Sequence, residues 1–207
     1  MQREGFFKEG LPDGVWTYWN KKGEKDFDFD FGTGLEHRAL EDLVEREATF
    51  FKLGDDSPFT GIITQENPET DYLFLGRTKN GKKDGQWVKW FPSGKDVPEI
   101  ILVEVPAPEP EVPWSGGKQE QGGFKEGQKH GKWTEWYDNE HIKSHGEYKD
   151  GIMDGYWTFY HRNGIKEKEG SLEKGNANGL WTFYDNESKK IQELSLIHIS
   201  EPTRPYW

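Results

Sequence analysis

Gly146-Glu147-Tyr148-Lys149-Asp150-Gly151-Ile152-Met153-Asp154-Gly155-Tyr156-Trp157-Thr158-Phe159-Tyr160 decides the fold of this chain. Glu147 to Lys149 alternates in polarity, and Tyr156 to Tyr160 is a run of aromatic and β-branched residues, the composition that fits a pleated strand. Asp150-Gly151 and Asp154-Gly155 bracket a turn between them. Asn163-Gly164 then reverses the chain again, because both residue types tolerate the positive φ of a tight hairpin turn. The stretch reads as strand, turn, strand.

The pattern recurs outward in both directions. Trp133, Trp157 and Trp181 are spaced 24 residues apart, and around them Gly122 to Trp136, Gly146 to Tyr160 and Gly170 to Tyr184 align as G-x-x-x-x-G-x-x-x-G-x-W-x-x-aromatic. Gly76 to Trp90 repeats it around Trp87, and Gly5 to Trp19 repeats it around Trp16 with one glycine displaced to Gly10. A worn copy precedes Trp87, with Gly61 and Ile63 in the Gly and Trp places. A fixed period of about two dozen residues marks a repeat architecture, and two short strands with two turns account for that length. The expected fold is all-β: an elongated, twisted, mostly antiparallel single-layer sheet of tandem hairpins with a period of about 24 residues.

Composition agrees. Leu, Ile, Val and Phe make up about a fifth of the 207 residues, too few for an ordinary aliphatic core at a net charge of -11. Ten Trp, eight Tyr and thirteen Phe offset this, since each ring buries roughly 150–250 Å². Alternation gives each Trp-bearing strand two stripes. Trp16, Trp87, Trp133, Trp157 and Trp181 are expected to be the packed stripe. Trp19, Trp90, Trp136, Tyr160 and Tyr184 on the other face are the candidate partner-binding residues, because Trp and Tyr dominate interface hot spots.

The glycine and aromatic spacing, G-x-[YF]-K-x-G-x3-G-x-W-T-x-[WY], resembles the variant repeat of the MORN (membrane occupation and recognition nexus) class over most of residues 5–193. Leu43 to Arg46 through Ser57 to Gly61 is similar to the segment leading into such repeats in bacterial YwqK-type antitoxins. The resemblance implies a non-catalytic scaffold for protein–protein interaction, extending to neutralisation of a toxin partner. A carbohydrate- or cell-envelope-polymer-binding module would use the same aromatic stripe.

The period breaks at two places. Residues 1–105 hold the N-terminal repeats with an irregular segment at 24–57, where Asp26 to Phe31 alternates as a strand and Leu35 to Glu47 reads as a short helix or irregular connection. Residues 106–117, Pro-Ala-Pro-Glu-Pro-Glu-Val-Pro-Trp-Ser-Gly-Gly, follow the apolar strand Ile100 to Val105 and read as a polyproline-like linker and domain boundary. Residues 118–193 are three regular repeats. Residues 194–207 begin with Leu194 where the period calls for Gly, and Leu194 to Arg204 reads as translated sequencing adapter. That tail is excluded from the fold.

Other motifs carry less chemistry. Gly76 to Lys83 has phosphate-loop spacing, but Lys83 stands where a Ser or Thr would hold magnesium, and the spacing belongs to the repeat. Asp26, Asp28 and Asp30 alternate with Phe27, Phe29 and Phe31, as a solvated strand face over a buried one does. His141 and His145 are spaced as a metal pair only on a helix. No catalytic residue, cofactor or metal site is therefore expected, and the chain is read as no enzyme. Cysteine is absent, which removes disulfides and thiolate ligands. Residues 1–117 carry a net charge of -9 and residues 118–193 a net of -2. This balance repels nucleic acid and anionic lipid and suits a basic protein partner. The chain has no apolar run that would insert into a membrane. As written it reads as cytoplasmic, or as secreted or periplasmic if a signal segment precedes it.

Overall fold

The computed structural model describes residues 2–20, 22–65, 74–91 and 117–196. The strands are β1 (Gln2–Lys8), β2 (Leu11–Trp19), β3 (Lys25–Asp30), β4 (His37–Ala39), β5 (Leu43–Arg46), β6 (Thr49–Lys52), β7 (Gly61–Gln65), β8 (Phe74–Lys79), β9 (Lys82–Trp90) and β10 (Lys118–Lys125). Then follow β11 (Gln128–Trp136), β12 (Ile142–Lys149), β13 (Ile152–Tyr160), β14 (Lys166–Glu173), β15 (Asn176–Tyr184) and β16 (Lys190–Leu196). The fold is nearly all β and built of consecutive antiparallel hairpins. Eleven strands form one sheet in the order β16 back to β7 and then β4, which joins β7 in parallel. β1-β2-β3 is a separate three-stranded sheet and β5-β6 a separate hairpin.

The repeat motif has a geometric cause. Each key indole lies flat on the glycine eleven residues before it, so that a Cβ on Gly146 would stand 2.3 Å from Trp157 Cδ2, with the same clash for Gly5, Gly76, Gly122 and Gly170. Each of these rings also donates its Nε1–H to the backbone carbonyl ten residues earlier: Trp16 to Phe6, Trp87 to Arg77, Trp133 to Gly123, Trp157 to Glu147 and Trp181 to Ser171, at 2.8–3.0 Å. The indole is thereby buried with its one polar group satisfied. All five are at most 5% exposed. In β10–β13 the rings cover one another edge to face: Phe124–Trp133 at 5.2 Å, Trp133–Tyr148 at 5.8 Å and Tyr148–Trp157 at 5.2 Å. Neighbours in the same sheet thus supply much of the cover that an opposing layer supplies elsewhere.

The turns propagate the stacking. Asp150 and Gly151 take φ of 51° and 81°, as both central residues of a type I′ turn must. Gly151 N–H then donates to Lys129 of the preceding hairpin at 2.9 Å, and Gly175 to Met153 likewise. At the opposite end Asn163 Nδ2 reaches the Asn186 carbonyl and Tyr137 Oη the Tyr160 carbonyl. Each unit is held to the next by main-chain and side-chain bonds recurring in register.

The single layer applies to the run from β11 onward, whereas the N-terminal end is thicker. Trp16, Tyr18, Phe27, Phe29 and Phe31, on one face of β1-β2-β3 and the residue after it, form one core with Ile62, Leu75, Val88 and Trp90 of the long sheet. On the opposite face the β5-β6 hairpin and the chain after it bring Leu43, Phe50 and Phe59 onto Ile63 and Trp87. Ile63 pairs opposite Gly76 and fills the Trp place of the worn repeat. Leu35 to Glu47, expected as a helix or irregular connection, is instead two short strands joined by a one-turn 3-10 helix at Leu40–Asp42.

Two boundaries read from the sequence do not divide the sheet. β9 pairs directly with β10, Trp87 opposite Gly122, so the long sheet is continuous across the position of the Pro-rich linker. The strand Ile100 to Val105 and the linker up to residue 116 lie outside the described residues. Of the tail, Leu194 to Leu196 end β16, with Leu194 opposite Trp181. Residues 197–207 lie outside the described part. Among the described residues no helix is long and apolar enough to cross a membrane.

Candidate interaction face

From β11 onward the face opposite the Trp stripe is not covered by the small sheet's core. Its central row is read from the pairing register: Thr134 opposite His145, His145 opposite Thr158, Thr158 opposite Glu169, and Glu169 opposite Thr182. Beside this row stand Trp136, Tyr160 and Tyr184, each half-buried at the end of its strand. One repeat is two strands, so successive rings are set about 10 Å apart.

The polar edges of these rings are held. Tyr160 Oη lies 3.0 Å from His145 Nε2, and Tyr184 Oη donates to Glu169 Oε1 at 2.7 Å. Lys166 Nζ donates to the other Glu169 oxygen at 2.8 Å. Lys118 Nζ sits 4.7 Å over the Trp136 ring and 5.4 Å over Phe27, and it is ion-paired to Asp26. This contact joins the small sheet to the long one at the point where cover ends.

The five stripe residues are therefore not one surface. Trp136, Tyr160 and Tyr184 share the open face. Trp90 is 1% exposed and enclosed between the sheets, 6.1 Å from Phe27, and belongs to the core instead of an accessible stripe. Trp19 follows the inward-facing Tyr18 on β2 and so lies on the outer face of the small sheet. The physical reason is the sheet break: the first repeat leaves the register and folds its own Trp16 face over Val88 and Trp90. The alternation of Asp26 to Phe31 was the available signal, since an apolar strand face outside the repeat has to be buried against something.

The other residues singled out in the sequence fall as follows. Asp28 accepts from Thr17 at 2.8 Å and pairs with Lys25, on the side of β3 away from Phe27 and Phe29. His141 Nδ1 lies 2.9 Å from the Arg162 carbonyl, and His145 is engaged with Tyr160. Gly76 to Lys83 spans the β8-β9 hairpin, with Asn80-Gly81 at its turn. What the open face offers chemically is an array of oriented donors, acceptors and ring surfaces.

Glu169 is the charged hub of that array. The bond from Lys166, with that from Tyr184, holds its carboxyl below the ordinary value of 4.5, against the opposing effect of burial. A depressed folded-state value means that the contribution is fully present above about pH 4.5 and is lost as pH falls through the folded-state value. Glu169→Gln is accordingly expected to lower the melting temperature at pH 7 and to match the parent protein near pH 2. A gap of equal size at both pH values would show that the carboxylate's charge is not what stabilises the site.

No family model and no curated protein sequence matches the chain.

Proposed function

We propose that the chain is a non-catalytic repeat scaffold that binds a protein partner across the open face of β11–β15. The observation that carries this reading is the row of Trp136, Tyr160 and Tyr184. They are half-exposed rings at repeat spacing, and the two hydroxyls are already engaged by His145 and Glu169. Rings fixed before contact lose little freedom on binding, which is the condition under which aromatic residues act as anchors. The acidic N-terminal half, with Asp28 on the outer side of β3, would steer a basic partner by long-range attraction. The resemblance to MORN-variant and YwqK-type repeats extends the proposal to antitoxin-like neutralisation of a toxin.

Trp136→Ala and Tyr160→Ala are each expected to leave the fold intact and to weaken a purified partner's binding by about 2 kcal/mol or more, chiefly through faster dissociation. Reversing acidic residues of the N-terminal half should instead slow association and flatten its salt dependence. Surface plasmon resonance over a range of ionic strength separates the two signatures. If the same aromatic substitutions abolish retention on a polysaccharide matrix and leave protein binding untouched, the chain is a carbohydrate- or envelope-polymer-binding module instead.

A further inference from the structure

On the Trp-stripe face one repeat differs from the next around a lysine stacked on the indole. Lys129 stands four residues before Trp133 and lies 3.9 Å over its ring and 5.2 Å over Tyr148. Its ammonium is paired with Glu120 at 3.2 Å and Glu135 at 3.7 Å, two carboxylates on directly opposed positions of β10 and β11. Lys83 holds the same place before Trp87, 4.7 Å over that ring and 5.2 Å over Phe124. The repeat equivalents of Glu120 and Glu135 are here Phe74 and Lys89, again directly opposed, on β8 and β9. Both carboxylates have been replaced, one by an aromatic ring and the other by a second cation.

Lys83 is consequently a half-buried ammonium with no hydrogen-bond or ion-pair partner among the described residues, held only over the faces of two rings. Burial depresses its basicity, the charges of Glu45 and Glu120 only partly oppose that effect, and those of Lys89 and Lys129 add to it. Glu120 is itself engaged by Lys129. Beside Lys83 opens a cleft of about 270 Å³ walled by Phe50, Phe74, Trp87, Phe124 and Trp133, with the carboxylates of Glu45 and Glu120 and the amine of Lys89 also on its lining. It lies at the step where the β5-β6 hairpin stops covering the Trp stripe. A cleft of aromatic walls onto which a half-buried, unpaired ammonium converges has the make-up of a small-ligand site.

We propose that this cleft binds a small aromatic carboxylate, its ring seated among Trp87, Phe74 and Trp133 and its carboxylate paired with Lys83, with Lys89 at the rim. The ligand's negative charge supplies what Glu120 and Glu135 supply to Lys129 in the next repeat. Its ring replaces water over apolar walls.

Phenylacetate and indole-3-acetate are the probes, titrated into the whole chain by calorimetry and by heteronuclear NMR. Saturable binding is expected, with shifts confined to β8–β11 and the β5-β6 hairpin. Lys83→Met should weaken it at least tenfold, while Lys168→Met, which removes the cation over Phe159 away from the cleft, should change it less than threefold. Phenylacetamide, which keeps the ring and loses the charge, should bind at least tenfold more weakly to the unaltered protein. This arm needs no variant and stands if Lys83→Met fails to fold. No saturable binding of either acid at millimolar concentration, or equal binding of acid and amide, overturns the proposal. In that case Lys83 is only a lysine snorkelling over two rings.

Discussion

Gly146→Ala is expected to destabilise the protein by about 2–4 kcal/mol, and Trp157→Ala by about 3–5 kcal/mol, from urea unfolding midpoints at constant m. The two numbers have one origin. Trp157 is 1% exposed because its ring rests on the bare backbone of Gly146, and an added methyl at that residue would lie 2.3 Å from the ring. Relief is blocked from several sides. Nε1 is bonded to the Glu147 carbonyl, Tyr148 packs edge-on at 5.2 Å, and Phe159 stacks at 5.9 Å. The substitutions should therefore be non-additive: with Trp157 already alanine, Gly146→Ala should cost less than about 1 kcal/mol, since nothing remains above it to clash. Additive losses would mean that the glycine serves its backbone conformation, not the indole.

Trp90→Ala is expected to cost a similar amount, about 3–5 kcal/mol, and to loosen the small sheet selectively. Trp90 sits among Phe27, Val88 and Leu75 in the core between the two sheets, and its removal opens a cavity at the centre of that contact. Amide exchange should accelerate in β2 and β3 well before β12–β15, because the repeats beyond β11 share no side chain with this core. Trp90→Phe should be milder, since the buried Nε1 of Trp90 has no hydrogen-bond partner to lose, unlike the five stripe indoles. Trp136→Ala, at the equivalent place one unit later, should change stability by less than about 1 kcal/mol. Should Trp90→Ala melt like the parent and Trp136→Ala unfold the chain, the two faces have been assigned the wrong way round.

The repeat itself is legible in the amino-acid sequence alone, and the reason is local. The glycine under each indole, the type I′ turn at Asp150-Gly151 and the alternation of Trp157 with Thr158 are all satisfied within one hairpin and its neighbours, so each leaves a mark at fixed spacing. The burial of Trp16, Trp87, Trp133, Trp157 and Trp181 followed from the same marks. The fate of Trp90 and Trp19 left none. Both carry the same repeat position as Trp136, and what separates them is that β1-β2-β3 detaches and folds back on the long sheet. That contact joins residues as far apart as Asp26 and Lys118 and has no period. Sheet continuity across the Pro-rich segment is of the same kind, because strand pairing between β9 and β10 depends on where the ends meet and not on the length or composition of the chain between them. The cleft at Lys83 lies between these cases. The exchange of two glutamates for Phe74 and Lys89 is written in the aligned repeats, yet the space beside them exists only where the β5-β6 hairpin brings Glu45 and Phe50 to its wall without filling it.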